Sequence, residues 1–128
     1  MKLGTLDVGT NTVLMLVAER DAAGAVHQLA DFARITRLGR GVDASGRLDP
    51  ESAAQTLAAI TEFAREARDL GAEKILGVAT ATLRDVYDGA DFIAQVKASA
   101  GIDLEVITGE TEAELSYLAV TKGLQLDP

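Results

Sequence analysis

Apolar and polar positions along this chain follow two periods in turn, first the alternation of strands and then the three-and-four spacing of helices. Lys2 to Val8 reads as a strand, and Gly9-Thr10-Asn11 as a compact turn, because glycine and asparagine tolerate the left-handed backbone angles that tight hairpins require. Thr12 to Glu19 follows as a second strand with a nearly continuous apolar centre, the pattern of burial on both faces. Asp21-Ala22-Ala23-Gly24 predicts a turn and Ala25 to Thr36 a third strand, so the first three strands form an antiparallel meander. Beyond a loop from Arg37 to Leu48, Asp49-Pro50-Glu51 opens a helix with an aspartate cap, a proline in the first turn and an acid at the positive dipole end. Ala53, Leu57, Ile60, Ala64 and Ala67 then recur on one face, and Gly71 supplies the stop. Lys74 to Ala79 predicts a short buried strand. A second helix runs from Asp88 or Ala90 to Ala100 with Ile93, Val96 and Ala100 inward, Leu104 to Ile107 forms a fifth strand, and Glu110 to Lys122 a third long helix ending at Gly123.

The element order is therefore βββαβαβα. Three meandering strands followed by right-handed parallel crossovers predict an α/β domain with a mixed five-stranded sheet. That is the ribonuclease H-like arrangement used by actin-like ATPases, sugar kinases and heat-shock chaperones as one half of a nucleotide-binding pair. Fold alone does not choose among their chemistries.

Composition narrows the classes. The chain has 128 residues with no internal repeat or low-complexity linker, which predicts one domain over 1–128. At 48% hydrophobic and 25% charged residues it has enough apolar surface to fold. Twelve Lys+Arg against twenty Asp+Glu give a net charge of -8, which disfavours DNA and acidic membrane surfaces as partners. There is no cysteine, so thiolate chemistry and Cys-type zinc sites are excluded, and the single histidine, His27, excludes a histidine-rich metal site. His27 is expected on a strand edge without a role. The longest apolar run, Val13 to Ala18, is far short of the ~20 residues that cross a bilayer. The start of the chain has no signal pattern, and a cytoplasmic, soluble protein is expected.

Three segments that each follow a predicted strand can carry chemistry. In Asp7-Val8-Gly9-Thr10-Asn11-Thr12, an aspartate at a strand end can hold Mg²⁺ or orient water, while the turn offers backbone amides and hydrophilic side chains to anionic oxygens. An ordinary hairpin whose aspartate satisfies its amides explains the same residues. In Ala79-Thr80-Ala81-Thr82-Leu83-Arg84-Asp85, hydroxyls and a bidentate guanidinium can meet phosphate beyond the carboxyl end of a strand. Here the plain alternative is a capped turn with Arg84 paired to Asp85 or Asp88, and Asp88-Gly89-Ala90-Asp91 also reads as a helix cap. In Thr108-Gly109-Glu110-Thr111-Glu112-Ala113-Glu114, the acids suit a helix start. Successive members of the Glu110, Glu112, Glu114 series fall about 200° apart, so they cannot all face one cleft. A glutamate aimed at the cleft can act as general base for water. Arg34, Arg37 and Arg40 form a basic cluster that reads either as a polyanion contact or as a solvated rim.

In this order and spacing the segments resemble the exopolyphosphatase/guanosine pentaphosphate phosphohydrolase (Ppx/GppA) family, over essentially the whole chain. Asp7 to Thr12 looks like the family's first phosphate-binding loop. Arg37-Leu38-Gly39-Arg40-Gly41-Val42-Asp43-Ala44-Ser45-Gly46-Arg47-Leu48 is similar to its Arg-Leu-Gly…Gly-Leu…Gly-Arg-Leu signature, Val78 to Asp85 to its Ala-Thr-Ser/Ala-Ala-x-Arg segment, and Ile107 to Leu115 to its Ile-Ser-Gly-x-x-Glu-Ala-x-Leu segment. The resemblance implies a phosphohydrolase that removes terminal phosphate from inorganic polyphosphate or the 5′ γ-phosphate from guanosine pentaphosphate, with Mg²⁺ or another divalent cation. It implies Glu112 as the base that activates water and Asp7 as catalytic and metal-holding. It implies Gly9, Thr10, Asn11, Thr12 and Arg84 as phosphate-binding residues. Asp88 stands where many members have asparagine, and the second glycine-rich loop, Asp-x-Gly-Gly-Gly-Ser-Thr-Glu, does not occur in the chain. The expectation is thus a first, N-terminal domain whose partner domain is missing here, weakly active or inactive alone, and compatible with a homodimer in a full-length form. A noncatalytic nucleotide- or alarmone-binding module and the first half of an actin-like kinase or ATPase are the alternative readings.

Overall fold

The computed structural model describes residues 1–80 and 82–107. Within them lie β1 (Lys2–Val8), β2 (Thr12–Arg20), β3 (Val26–Ile35), α1 (Val42–Ser45), α2 (Pro50–Asp69), β4 (Lys74–Ala79), α3 (Thr82–Asp85), α4 (Gly89–Ala100) and β5 (Leu104–Val106). The strands form one five-stranded sheet in the order β3-β2-β1-β4-β5. β1 pairs antiparallel with β2 and β2 with β3, whereas β4 runs parallel to both β1 and β5. The mixed sheet predicted from the sequence is thus present. The helix expected from Glu110 to Lys122 lies outside the described residues. The short helices α1 and α3, four residues each, fall where the sequence has no periodic pattern long enough to reveal them.

α2 begins as its sequence requires. The Asp49 carboxylate accepts the Ser52 amide at 2.9 Å, and Pro50 occupies the first turn. Its inward stripe, however, is Ser52, Thr56, Ala59, Ile60, Phe63, Ala64 and Ala67, with the expected Ala53 and Leu57 only half-buried. Two hydroxyls account for the rotated first turns. Thr56 Oγ1 lies 2.7 Å from the Ser52 carbonyl and 2.8 Å from Thr36 Oγ1, all three residues being buried. A hydroxyl has one proton and a carbonyl can only accept, so Thr56 donates to Ser52 and Thr36 donates to Thr56. Polar side chains satisfied in this way occupy core positions that a search for apolar residues passes over.

The core lies between α2, α4 and one face of the sheet, where Leu6, Val8, Val13, Met15 and Val17 meet Ile60, Phe63, Phe92 and Val96. Both long helices cover this face, and the second strand is therefore not buried on both sides as its apolar run suggests: Leu14 remains 45% exposed. β4 behaves alike, with Gly77 and Ala79 buried and Leu76 exposed. On α4 the inward residues are Phe92, Val96 and Ala100, with Ile93 half-buried. At the sheet edge, Phe32 stacks on Phe63 with ring centroids 5.4 Å apart, and Arg34 sits over the same ring while pairing with Glu62 at 2.9 Å. The Arg34 side chain is thereby committed to α2. His27 lies on the edge strand as expected, yet its ring meets Asp21 at 2.8 Å, and the same carboxylate accepts the Ala23 and Ala25 amides. It serves as a clamp on the β2–β3 turn. No helix among the described residues is long and apolar enough to cross a membrane.

Two outcomes test this packing. Thr56→Val should lower unfolding stability by about 1–3 kcal/mol, the cost of leaving the buried Thr36 hydroxyl without its acceptor. A Thr36→Val/Thr56→Val double variant measured by urea unfolding should cost less than the two single changes added together. The Asp49 carboxyl is held below its ordinary value chiefly by the Ser52 amide, with Arg40 adding to the effect. Its contribution is therefore present above the ordinary carboxylate value of about 4 and lost as pH falls through the lower folded value. Asparagine caps helices without titrating. The urea midpoint of Asp49→Asn should accordingly fall less steeply than that of the unaltered chain between about pH 5 and pH 2.

Candidate functional site

Parallel pairing brings the carboxyl ends of β1, β4 and β5 to one edge of the sheet. Val8 is in register with Ala79 and Ala79 with Val106. The same edge is stitched further by the Thr80 amide on the Val8 carbonyl at 3.1 Å and the Ile107 amide on the Ala79 carbonyl at 2.9 Å. Residues 9–12 and Thr80 leave the sheet at this edge, and β5, which precedes the third chemically suggestive segment in sequence, ends there too. Ligands of α/β sheets bind outside such strand ends.

The first two segments meet directly. Thr10 Oγ1 lies 3.1 Å from Thr82 Oγ1, 72 positions away in sequence. Gly9 closes the hairpin through its amide on the Thr12 carbonyl at 2.9 Å, and Thr10 and Asn11 are exposed at the tip. Asp7 sits one residue before the end of β1, half-buried, between Leu14 and Val78 of the neighbouring strands. It lines a cavity of about 280 Å³ together with Thr5, Leu14, Leu16 and Asp31. Among the described residues no three His, Cys, Asp or Glu gather into a metal-ligand group. Mg²⁺ is commonly held by only one or two carboxylates together with substrate phosphates. Asp7, next to the turn at residues 9–12 and with Asp31 lining the same cavity, would suit that mode and not a cage of protein ligands.

Arg84 projects from α3, 53% exposed, with its Nε 3.8 Å from Asp85. That distance and exposure make a weak pair, so the guanidinium is available to an anion. Asp88 is not its partner: Asp88 stands at the start of α4 without capping it, and its carboxylate accepts the Leu48 amide at 3.0 Å. Arg37 and Arg40 are exposed on the rim. Glu112 and the other acids of its segment lie outside the described residues, as does Ala81.

The loop that follows β3 is more closely tied to the site than its sequence suggests. The amides of Thr36 and Arg37 both donate to the Asn11 carbonyl, at 2.9 and 3.0 Å, and the Gly39 amide donates to the Thr10 carbonyl at 2.9 Å. At its other end, the Gly46 carbonyl accepts the Tyr87 amide at 3.0 Å, and Arg47 covers the Tyr87 ring. One loop thus touches the turn at residues 9–12 at one end and, at the other, Tyr87, two residues past the second segment. Leu38, a buried leucine between arginine and glycine, is the sequence signal that this stretch is packed.

A five-stranded sheet in this order, with its site beyond the parallel strand ends, defines a ribonuclease H-like α/β domain of the actin-like class. A family model for the Ppx/GppA phosphatase family matches residues 16–127. Exopolyphosphatase 2 of Mycobacterium tuberculosis is 40% identical over 124 residues, covering 91% of this chain and 39% of that protein. Exopolyphosphatase 1 of the same organism is 33% identical over 122 residues, covering 95% of this chain and 36% of that protein. The crystal structure of the type II variant of the Aquifex aeolicus Ppx/GppA phosphatase superposes with a TM-score of 0.89 at 30% identity, over 100% of this chain and 42% of that one. The chain belongs to the Ppx/GppA phosphatase family. It spans 36% and 39% of the length of the two exopolyphosphatases.

Thr82→Val removes the hydroxyl that meets Thr10 and keeps the side-chain shape. Because the contact is exposed, stability should change by no more than about 0.5–1.5 kcal/mol. Tripolyphosphate binding, measured by titration calorimetry, should weaken, because Thr10 loses its tether.

Proposed function

We propose that this chain forms one wall of a phosphohydrolase site that removes terminal phosphate from inorganic polyphosphate, with the 5′ γ-phosphate of guanosine pentaphosphate as the alternative substrate. The observation that carries the reading is the contact between the Gly9-Thr10-Asn11-Thr12 loop and Thr82, at the edge where the parallel strands β1, β4 and β5 end. Two relatives that share this stretch are named exopolyphosphatases. The opposite wall would come from a second domain, and a homodimer and a cytoplasmic location are compatible with the reading.

In this site the amides of Thr10, Asn11 and Thr12 and the hydroxyls of Thr10 and Thr12 bind the oxygens of the terminal phosphate, where oriented dipoles neutralise anionic charge without carrying a net charge of their own; the Gly9 amide, expected among these donors, is instead taken by the Thr12 carbonyl and shapes the turn. Arg84 grips a neighbouring oxygen through charge-assisted hydrogen bonds. Asp7 would hold Mg²⁺ or another divalent cation, which supplies further neutralisation of phosphate charge when bound. Glu112 takes a proton from water at its carboxylate, and the water attacks phosphorus in line with the leaving phosphate. Orientation of these groups provides most of the rate enhancement, since the phosphoryl group itself needs little covalent assistance. A chain with one wall leaves the cleft open to solvent, so the isolated chain should turn over slowly.

The decisive measurement is phosphate release from polyphosphate by the 128-residue chain and by a longer natural protein that contains it. In the longer protein, Glu112→Gln should lower turnover by about 10²–10⁴-fold with substrate binding retained. Unchanged turnover would remove Glu112 as the base. Binding without any turnover in both proteins would point to a noncatalytic alarmone-binding module, and transfer of phosphate to an organic acceptor to a kinase.

A further inference from the structure

Residues 36–39 meet the anion-facing loop from behind through three backbone hydrogen bonds. The Asn11 carbonyl accepts from Thr36 and Arg37, and the Thr10 carbonyl accepts from Gly39. In a trans peptide the carbonyl of one residue and the amide of the next point in opposite directions, and the described residues have no cis peptide. Drawing the Thr10 carbonyl toward Gly39 therefore turns the Asn11 amide away from it. Drawing the Asn11 carbonyl toward Thr36 and Arg37 turns the Thr12 amide away in the same manner.

We infer that residues 36–39 are a positioning brace, which fixes the direction of the Asn11 and Thr12 amides so that they face a phosphate on the side away from the brace. The inference rests on the phosphate-binding reading of residues 9–12 and adds a reason for the residue at each position of the brace. Thr36 is anchored in the core by its buried hydroxyl contact with Thr56. Arg37 adopts φ 52°, a left-handed conformation uncommon for a residue with a side chain, directly after the two consecutive amides, of Thr36 and Arg37, that converge on one carbonyl. Leu38 is buried in the core at 1% exposure and pins the segment from below. Gly39 is outside the positive-φ glycines, so its backbone conformation is open to other residues. Space is what demands glycine there: a Cβ at position 39 would overlap Thr10 Cγ2. The side chain that would have to yield belongs to the phosphate loop itself.

The geometry makes the test specific. Gly39→Ala adds the overlapping methyl, and Thr10→Ser removes the methyl it strikes while keeping the hydroxyl. In the ¹⁵N-labelled 128-residue chain, Gly39→Ala should shift the Asn11 and Thr12 amide resonances and weaken tripolyphosphate binding by about tenfold or more, equivalent to about one charge-assisted hydrogen bond. Gly39→Ala/Thr10→Ser should return both resonances and affinity to those of Thr10→Ser alone. Circular dichroism on each variant identifies any that fail to fold, and recovery in the double variant separates loop displacement from general damage. Unmoved Asn11 and Thr12 amides in folded Gly39→Ala, or an effect that the double variant does not relieve, would overturn the brace. If the unaltered chain binds no tripolyphosphate, the phosphate reading of the loop fails. The amide resonances then decide by themselves whether residues 36–39 set the loop direction.

Discussion

Parallel pairing of β1 with β4 is the constraint on which the rest of this domain depends. A parallel neighbour cannot be reached by a tight turn, so the chain must cross over the sheet between the two strands. Here α2 makes that crossing, and its long inward stripe covers the sheet face that carries Leu6, Val8, Val13 and Met15. The same pairing aligns the carboxyl ends of β1 and β4, and β5 joins them by pairing parallel to β4. Separate stretches of sequence consequently leave the sheet at one place. The site is a consequence of strand direction before it is a consequence of any individual side chain.

Strand direction brings the loops together but does not orient their atoms. Orientation comes from secondary contacts that tie the crossover to the site: the amides of residues 36–39 on the Thr10 and Asn11 carbonyls, and the Gly46 carbonyl on the Tyr87 amide. The Thr36–Thr56 hydroxyl contact anchors one end of this network in the core. A net charge of -8 does not by itself exclude anions from this edge, because amide dipoles and exposed guanidinium groups act over a few ångströms, whereas net charge acts over the whole surface.

The legible parts of the fold were those encoded locally. The cap and proline of α2 and the Gly-Thr-Asn turn rest on residues adjacent in sequence and are found where the pattern places them, and the strand ends fall within one residue of it. Departures occur where partners are distant. Thr56 replaced Leu57 on the inward stripe because Thr36, 20 positions away, completes its hydrogen bonding. Asp88 bonds the Leu48 amide, 40 positions away, in preference to its own helix. Leu14 stays exposed because both long helices lie on the opposite face, which no count of apolar residues in β2 reveals. His27 gained a partner in Asp21 by pairing across a turn, a contact within reach of sequence reasoning had the aspartate been considered.

Sequence by itself determined the class of the domain, the positions of its candidate loops and the family to which their motifs point, because periodicity, caps and short motifs are properties of neighbouring residues. Tertiary structure alone decided that Thr10 meets Thr82, that Arg84 is only weakly engaged by Asp85, and that Gly39 lies against Thr10. The physical reason is that hydrogen bonds and steric overlap act over a few ångströms in space. Which groups come within that range across 29 or 72 residues of chain is settled by strand pairing and helix packing together.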